Sequence, residues 1–406
     1  MAESVATPLT IRAVNSITEI PAHIWDGFSG TESIESTGGI KSTESIESTG
    51  NPFLRHSFLK ALEDTGCTVT ATGWTPSHLV FYRGGKQVGV APAYLKSHSR
   101  GEYVFDWAWA EAYQRYGFEY YPKLLIAVPF TPSVGARLLI DKHERERISP
   151  DELNEALDTL AAEVGAGSWH LLFPNQSDQR LLDAPGRMHR LGCQFHWFNY
   201  DYEDFEAFLA TLTSRKRKSI RKERRAVTAQ RIEFRHFPGA SLPDHVLSAF
   251  YVFYKATYLK RGQRPYLNLE FFQALRQNQP GQLHIIMAVK DNDMIAGALF
   301  LTSESTLYGR YWGCLEEYNH LHFETCYYQG IELAIAQGLH CFDAGAQGEH
   351  KLVRGFEPVL THSWHWVANL AFADAIAQFT REEAREVETY RQAALEALPY
   401  REQEEP

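Results

Sequence analysis

The stretch FDAGAQGEHKLVRGF, residues 342–356, contains the residue types that acyl transfer to an amine requires. Such a reaction needs a base for the amine proton and a positive group beside the oxyanion that develops on the carbonyl. Lys351 can stabilise an oxyanion or a phosphate, and Asp343, at the end of a predicted strand, can accept the proton or orient Lys351. His350 or Glu349 can act as the base instead.

The same stretch is also compatible with an ordinary surface turn. Glu349 and Arg354 are close enough in the chain to form an ion pair, and Gly345 and Gly348 are residues that turns commonly use. Two familiar catalytic signatures are absent from the sequence, the GxxxxGK[ST] phosphate loop and the GxSxG nucleophile motif. The residues alone do not decide between a catalytic loop and a surface turn.

The segment SRKRKSIRKERRAV, residues 214–227, has the densest charge in the chain. Between positions 215 and 225 it has eight lysines or arginines and one glutamate, although the net charge of the chain is -10. Ile220 and Val227, seven residues apart, would form a thin apolar stripe on a helix capped by Ser214. The cations either form a solvated face or bind a polyanion, such as a nucleotide diphosphate, the pyrophosphate of coenzyme A or a tRNA backbone. The residues assigned to this binding are Arg215, Lys216, Arg217, Lys218, Arg221 and Lys222.

Aromatic residues alternate with charged ones in two further regions. Polar tips among rings are typical of a cleft that binds a peptide or a sugar. The alternative is an aromatic core with capping carboxylates. The residues predicted to line a substrate groove are Tyr308, Arg310, Tyr311, Trp312, Glu324 and Arg354 in the second half and Asp106 and Trp109 in the first.

The histidines do not predict a metal site. His362 and His365 lie three apart in a predicted strand and therefore point to opposite faces. His320 and His322 would share a face, but no third ligand follows at a suitable spacing. We predict no metal cofactor.

Length and composition predict a two-domain globular protein. A chain of 406 residues suits two domains of roughly 200 residues, and 44% hydrophobic with 22% charged residues is ordinary for a globular protein. The negative net charge argues against a protein that coats nucleic acid over its whole surface. Five cysteines without a CxxC pair favour a reducing compartment. Because no signal peptide and no transmembrane segment is recognisable, a cytoplasmic location is predicted.

The segment TESIESTG occurs at 31–38 and again at 43–50. Its Ser, Thr, Glu and Gly content cannot bury a face, so 31–50 is predicted to be a flexible loop between a strand near 9–14 and a helix that starts near Pro52. A phosphorylation patch is the alternative.

A longer repeat predicts internal duplication. Both copies show a hairpin, then an aromatic strand, then an acidic, tyrosine-containing turn, with an offset near 205 residues throughout. The three pairs of segments are 79–95 with 285–301, 102–109 with 306–313, and 110–121 with 315–328. Two copies of one α/β unit also fit the length.

The sequence resembles the FemAB-like acyltransferases, which have a tandem GNAT-type fold. The resemblance covers essentially residues 51–380 and rests on NPFLRHSFLKALE at 51–63, GVAPAYLK at 89–96, the basic segment and FDAGAQGEHKLVRGF. It implies a mixed α/β fold with two duplicated GNAT-like domains and a cleft between them. It also implies N-acyl transfer to an amine of a peptidoglycan-precursor-like or other small acceptor.

The resemblance leaves the acyl donor open. GNAT proteins bind the pyrophosphate of acyl-CoA with a Q/R-x-x-G-x-G/A signature, of which this chain has Gln347 and Gly348 without the second spaced glycine. Fem-type relatives use aminoacyl-tRNA, which the basic segment would contact. On this resemblance Lys351 matches the loop lysine of the family, and Gly355–Phe356 its following Gly–aromatic pair.

The sequence therefore predicts two domains. Residues 1–200 form the first, and residues 201–406 form the second, with a basic helix at 214–227 and a C-terminal helix at 371–397. The alternative function is a non-catalytic protein that recognises cell-wall fragments or RNA on the same fold. The oligomeric state is not predicted.

Overall fold

The computed structural model describes residues 7–29, 50–346 and 348–401. The duplicated loop predicted at 31–50 therefore lies outside the described residues, apart from Gly50. The chain divides into two compact units. Unit 1 consists of Met1–Gly192 and Thr361–Val387, and unit 2 of Cys193–Leu360 and Glu388–Pro406.

Fifteen strands occur in the described part of the chain. In chain order they are β1 Leu9–Val14, β2 Trp74–Pro76, β3 His78–Arg83, β4 Lys86–Ala91, β5 Ala93–Lys96, β6 Lys123–Ile126, β7 Leu139–Ile140, β8 Ser168–Leu172, β9 Met188–Phe198, β10 Ile232–Pro238, β11 Leu283–Lys290, β12 Asp293–Thr302, β13 Thr306–Cys314, β14 Cys341–Asp343 and β15 Glu357–Val367.

Thirteen α-helical segments occur in the same described residues. They are α1 Ala22–Phe28, α2 His56–Asp64, α3 Trp107–Arg115, α4 Lys142–Arg145, α5 Pro150–Glu163, α6 Gln176–Leu182, α7 Phe205–Thr211, α8 Ser214–Ala229, α9 Asp244–Leu259, α10 Leu269–Asn278, α11 Leu321–Phe323, α12 Gln329–Ala336 and α13 Leu370–Glu396. A π-helical turn, Glu324–Tyr328, joins α11 to α12, and a 3₁₀ helix spans Glu349–Arg354. Within these ranges no helix is both long and apolar enough to cross a membrane.

Unit 1 contains two groups of paired strands. The first has the order β1-β3-β4-β7 and is antiparallel. In the second, β2, β5 and β6 are antiparallel, β8 runs parallel to β6, and residues 363–367 of β15 pair antiparallel with β8. Helix α5 covers this core because Leu153, Leu157 and Leu160 lie on one face and are buried. Ser149 caps the helix, because its side chain accepts a hydrogen bond from the backbone N–H of Glu152.

Unit 2 is built on the antiparallel strands β10, β11, β12 and β13. Strand β14 then runs parallel to β13, and its other edge pairs with residues 196–198 of β9. Helix α9 lies very close to β13, because a Cβ built on Gly313 would stand 1.9 Å from the carbonyl oxygen of Phe253. Only glycine allows this approach.

The hairpin β3–β4 of unit 1 and the hairpin β11–β12 of unit 2 share two irregular features. Both turns have two residues with positive φ, Gly84–Gly85 and Asp291–Asn292, the requirement of a type I′ turn. Both hairpins also have a β-bulge at the same distance from the turn, formed by Val88 and by Ile295, which are 207 residues apart. The predicted mixed α/β fold class is confirmed, and the shared hairpin features agree with two copies of one unit.

One predicted element of the repeat is wrong. Residues 102–109, expected to be a strand, instead lead into α3, which begins at Trp107 and continues to Arg115. Trp109 and Tyr113, four residues apart, are both buried, which is helical spacing. The aromatic residues of this segment fit both an alternating strand and a helix, and packing against Phe372 and Ile376 selects the helix.

Candidate functional site

The candidate site lies where β13 and β14 part. The parallel pairing covers only Thr306–Tyr308, and β14 ends at Asp343, opposite Tyr308, whereas β13 continues to Cys314. Just beyond that point Arg310 is the extra residue of a β-bulge, because Leu299 pairs with Tyr311 and Phe300 with Gly309. Bulges re-aim side chains and are common next to functional sites.

The bulge directs the guanidinium of Arg310 to the carboxylate of Asp343. Nη2 lies 2.7 Å from Oδ2 and Nη1 lies 3.3 Å from Oδ1, and both side chains are almost fully buried. The backbone N–H of Gly345 donates to Oδ1 of Asp343 at 2.9 Å, and Nε2 of His196 lies 3.8 Å from the same oxygen. The carboxylate of Asp343 is therefore occupied on both oxygens.

Lys351 is completely buried and is tied to the same loop. Its Nζ donates to the carbonyl oxygen of Gly345, whose N–H is held by Asp343. Burial lowers the pKa of Lys351 to about 8, although Asp343 raises it and Arg310 adds to the lowering. The structure therefore brings Lys351, Asp343 and Arg310 together.

His350 lies at the surface beside Lys351. Its Nε2 is 2.8 Å from the hydroxyl of Tyr327, and its pKa is lowered by partial burial and by the nearby positive charges of Arg354 and Lys351. Glu349 is exposed and accepts a hydrogen bond from Tyr390 at 3.1 Å. His350 is therefore accessible at the edge of the site, and its pKa lies below the ordinary value of histidine.

The surface turn closed by Glu349 and Arg354 is not what the structure shows. Arg354 is buried and pairs instead with Glu223 of α8 at 2.8 Å. It also donates to the hydroxyl of Tyr328 at 2.9 Å and to the carbonyl oxygen of His350 at 2.7 Å. The residue predicted to contact substrate is thus a structural anchor of the 3₁₀ helix.

The basic segment forms α8 as predicted, with Ile220 and Val227 buried. The helix begins at Ser214, but its N-cap residue is Thr213, whose side chain makes no capping hydrogen bond. The six predicted anion-binding residues lie away from the buried stripe, and each is exposed or half-buried: Arg215, Lys216, Arg217, Lys218, Arg221 and Lys222. Of these, Arg221 also pairs with Glu206. Cations thus cover the solvent side of α8.

Glu324 does not face a substrate groove. It is buried and binds Arg224 of α8, with Nη2 to Oε1 at 3.0 Å, and its pKa is raised by burial against the lowering effect of Arg224. Arg224 also binds Glu332 at 2.7 Å. The π turn that contains Glu324 thus fixes α8 to α12.

The aromatic residues of β13 belong largely to the core. Tyr308 is buried, with the guanidinium of Arg310 5.2 Å from its ring centre. Tyr311 packs edge-on against Tyr254 at 5.3 Å. Trp312 lies against His322, with ring centres 5.4 Å apart. The prediction of a groove lined by these rings is not supported by their packing.

The two residues predicted for the first half lie inside unit 1. Asp106 is buried and accepts hydrogen bonds from Lys123 and from the hydroxyl of Tyr120. Burial alone would raise the pKa of Asp106, but Lys123 reverses this, so that the carboxyl is more acidic than usual. Trp109 packs edge-on against His365 at 5.0 Å. Both are interior residues.

Some residues at the site were not anticipated from the sequence. Glu223, Tyr327 and Tyr328 connect the 3₁₀ helix to α8 and to the π turn. Only Glu223 gave a signal, as the one acid among eight cations. Over the described ranges, no group of three or more His, Cys, Asp or Glu is placed to hold a metal ion.

A family comparison identifies the relatives of this chain. The FemAB-like family, described as peptidoglycan biosynthesis/recognition, matches residues 16–402. The chain belongs to the FemAB-like family. The match to the family extends over both units and includes the Arg310–Asp343–Lys351 cluster. The comparison with curated proteins gave no match.

Solved structures show distant similarity over most of the chain. FemX is 14% identical, with 88% of this chain and 98% of FemX covered and a TM-score of 0.49. A tandem GNAT protein from the clavulanic acid biosynthesis pathway is 10% identical, with coverage of 89% and 99% and a TM-score of 0.47. The L-PGS of Bacillus licheniformis is 11% identical, with coverage of 83% and 98% and a TM-score of 0.48.

Proposed function

We propose that this chain transfers an acyl or aminoacyl group to an amine of a peptidoglycan-precursor-like or other small acceptor. The observation that carries the proposal is the buried cluster of Arg310, Asp343 and Lys351 where β13 and β14 part. Membership of the FemAB-like family supports it. A cytoplasmic location remains a prediction.

Lys351 is the group proposed to stabilise the oxyanion. An ammonium carries three protons, of which the carbonyl of Gly345 accepts one. With a pKa of about 8 the side chain is mainly protonated at neutral pH. Because it lies in a buried, low-dielectric environment, its charge acts more strongly on a developing anion than it would in water.

Asp343 has a positioning role in this proposal rather than that of the base. Its oxygens already accept hydrogen bonds from Arg310 and from the N–H of Gly345, so it orients the loop to which Lys351 is bound. The acceptor amine must lose a proton, and His350 is the proposed base because it is accessible and its pKa is lowered. Glu349 is the exposed alternative.

The solvent side of α8 is the proposed contact for phosphate groups of the donor or acceptor. Aminoacyl-tRNA and acyl-CoA both present several phosphates, and a row of lysines and arginines attracts either one. The donor is therefore proposed by class, as an activated acyl carrier with a polyanionic part.

A donor panel tests the function. The protein is incubated with acetyl-CoA, longer acyl-CoAs or aminoacyl-tRNA together with an amine acceptor, and products are detected by mass spectrometry. Thermal unfolding with each donor reports binding independently of turnover. A donor that both stabilises the protein and gives an acylated amine supports the proposal. Binding to a cell-wall fragment or RNA with no product from any donor would favour the recognition protein.

A further inference from the structure

The basic helix α8 has a single acidic residue, Glu223, and its ion-pair partner lies outside the helix. Glu223 stands among eight cations, yet its side chain is largely buried and turned toward the 3₁₀ helix Glu349–Arg354. Its Oε2 accepts from Nη2 of Arg354 at 2.8 Å and from the hydroxyl of Tyr328. A glutamate at this position weakens the positive charge of the helix, so anion binding does not explain its presence. Its contacts with Arg354 and Tyr328 suggest a different role.

Arg354 converts this contact into a fixed position for the 3₁₀ helix. Its Nη1 donates to the backbone carbonyl of His350 at 2.7 Å, and its Nε donates to Tyr328 at 2.9 Å. Its guanidinium carbon lies 3.6 Å from the ring centre of Phe323. All three nitrogens of the guanidinium are thus engaged, and hydrogen bonds between charged groups in such buried geometry are strong.

We propose that Glu223 is a positioning residue for the site, because it holds Arg354 and thereby the 3₁₀ helix that carries His350 and Lys351. The 3₁₀ helix that contains Lys351 is then held in a fixed position relative to α8 and its exposed cations. Glu223 does not touch the reacting atoms in this proposal. The kinetic consequence of this positioning role rests on the proposed function, whereas its structural part can be tested without any substrate.

Glu223→Gln is the test, with Glu332→Gln as the matched control. Both acids bind an arginine, but the described hydrogen bonds of Glu332 are with Arg224 and Gln329 rather than with residues 349–354. Hydrogen exchange measured by mass spectrometry should show amides of 349–356 exchanging about ten-fold faster in Glu223→Gln, as the loss of a charged hydrogen bond predicts. In Glu332→Gln these amides should keep the rate of the unsubstituted protein.

Kinetics provide the second measurement. With a donor identified by the panel above, Glu223→Gln should lower kcat about ten-fold at unchanged KM, and it should have no further effect in an Arg354→Met background. If Glu223 only stabilised the fold, Glu223→Gln would lower the active fraction and the midpoint of unfolding. Its effect on kcat would then not depend on the presence of Arg354.

The outcomes separate the two proposals. Unchanged exchange at 349–356 in Glu223→Gln would overturn the positioning role, whatever the activity. Faster exchange with no transferase activity for any donor would contradict the proposed function and support the structural part. An additive loss of kcat in the Arg354→Met background would contradict the route through Arg354.

Discussion

Arg310 and Asp343 form a buried ion pair at the point where a parallel strand pair parts, with hydrogen bonds of 2.7 and 3.3 Å. The arginine reaches this position because it is the extra residue of a bulge. The carboxylate in turn holds the loop to which Lys351 is bound. The pair therefore supports the geometry of the proposed site and should also contribute to stability.

Asp343→Asn should destabilise the protein by about 3–5 kcal/mol, because it leaves the buried guanidinium of Arg310 without a compensating charge. Denaturation in urea measures the change. Asp291→Asn is the matched control, since Asp291 forms an exposed ion pair with Arg231 and should change stability by less than about 1 kcal/mol. Equal effects of the two substitutions would show that the buried ion pair contributes no more to stability than the exposed one.

The pH profile of the reaction should report the titration of Lys351. Its pKa is lowered to about 8 by burial, so the ammonium is charged below that pH and loses its proton above it. If the charged form stabilises the oxyanion, the rate falls as pH rises through about 8. Arginine stays protonated, so Lys351→Arg should lose this descending limb even if its rate is lower. A limb that persists in Lys351→Arg would assign the titration to another group.

The buried charges of unit 1 should make stability depend on pH. Lys96 and Glu102 lie 3.9 Å apart with almost no exposure. Burial lowers the pKa of Lys96 from 10.5 to about 7, so its cost to stability grows as pH falls from 10.5 to 7. Burial raises the pKa of Glu102 from 4.5 to about 7, so its cost grows as pH rises from 4.5 to 7. Near neutral pH both costs are close to their full size.

Lys96→Met should therefore be neutral or stabilising near pH 7, because it removes a buried ammonium whereas Glu102 keeps its ion pair with Lys123 at 2.7 Å. The dependence of the unfolding free energy on pH between 7 and 10.5 should also become flatter. Urea denaturation at several pH values measures both effects. A Lys96→Met variant that is strongly destabilised, with an unchanged pH dependence, would show that the buried ammonium contributes favourably to stability.

The solvent side of α8 should bind polyanions with a strong dependence on salt. Lys218→Gln and Lys222→Gln remove two exposed cations four residues apart, and each should reduce the slope of log Kd against log salt by about one. Poly(U) RNA is the probe, titrated at several sodium chloride concentrations. Arg231→Gln removes a cation outside the helix and serves as the control. A flat salt response of the unsubstituted protein would identify α8 as a merely solvated face.

The sequence predicted local elements well where one periodicity dominated. Ile220 and Val227 defined the buried stripe of α8, and the polar turns of the two hairpins marked their positions and their duplication. It failed at residues 102–109, where aromatic residues suited a strand and a helix equally and tertiary packing decided between them. Contacts between distant segments determine such cases, and a single sequence does not contain them.

The same limit explains which parts of the site were found. Lys351 and Asp343 lie in one loop and were identified together. The substrate role predicted for Arg354 is replaced by a contact with Glu223, 131 residues away in the chain. The π turn that places Glu324 against Arg224 also has no recognisable sequence signal. Two residues predicted to line a groove, Arg354 and Glu324, are instead held by ion pairs with Glu223 and Arg224, which are distant in the chain.

Turnover by Lys351→Met, measured beside acceptor binding, tests the central claim most directly. Methionine keeps the approximate length of the side chain and removes the ammonium, and Lys290→Met is the control for a lysine outside the site. The account predicts that kcat falls by about 10²–10³, with acceptor affinity unchanged and with stability equal or higher, because a buried amine is lost. Turnover equal to that of the unsubstituted protein would contradict the assignment of Lys351.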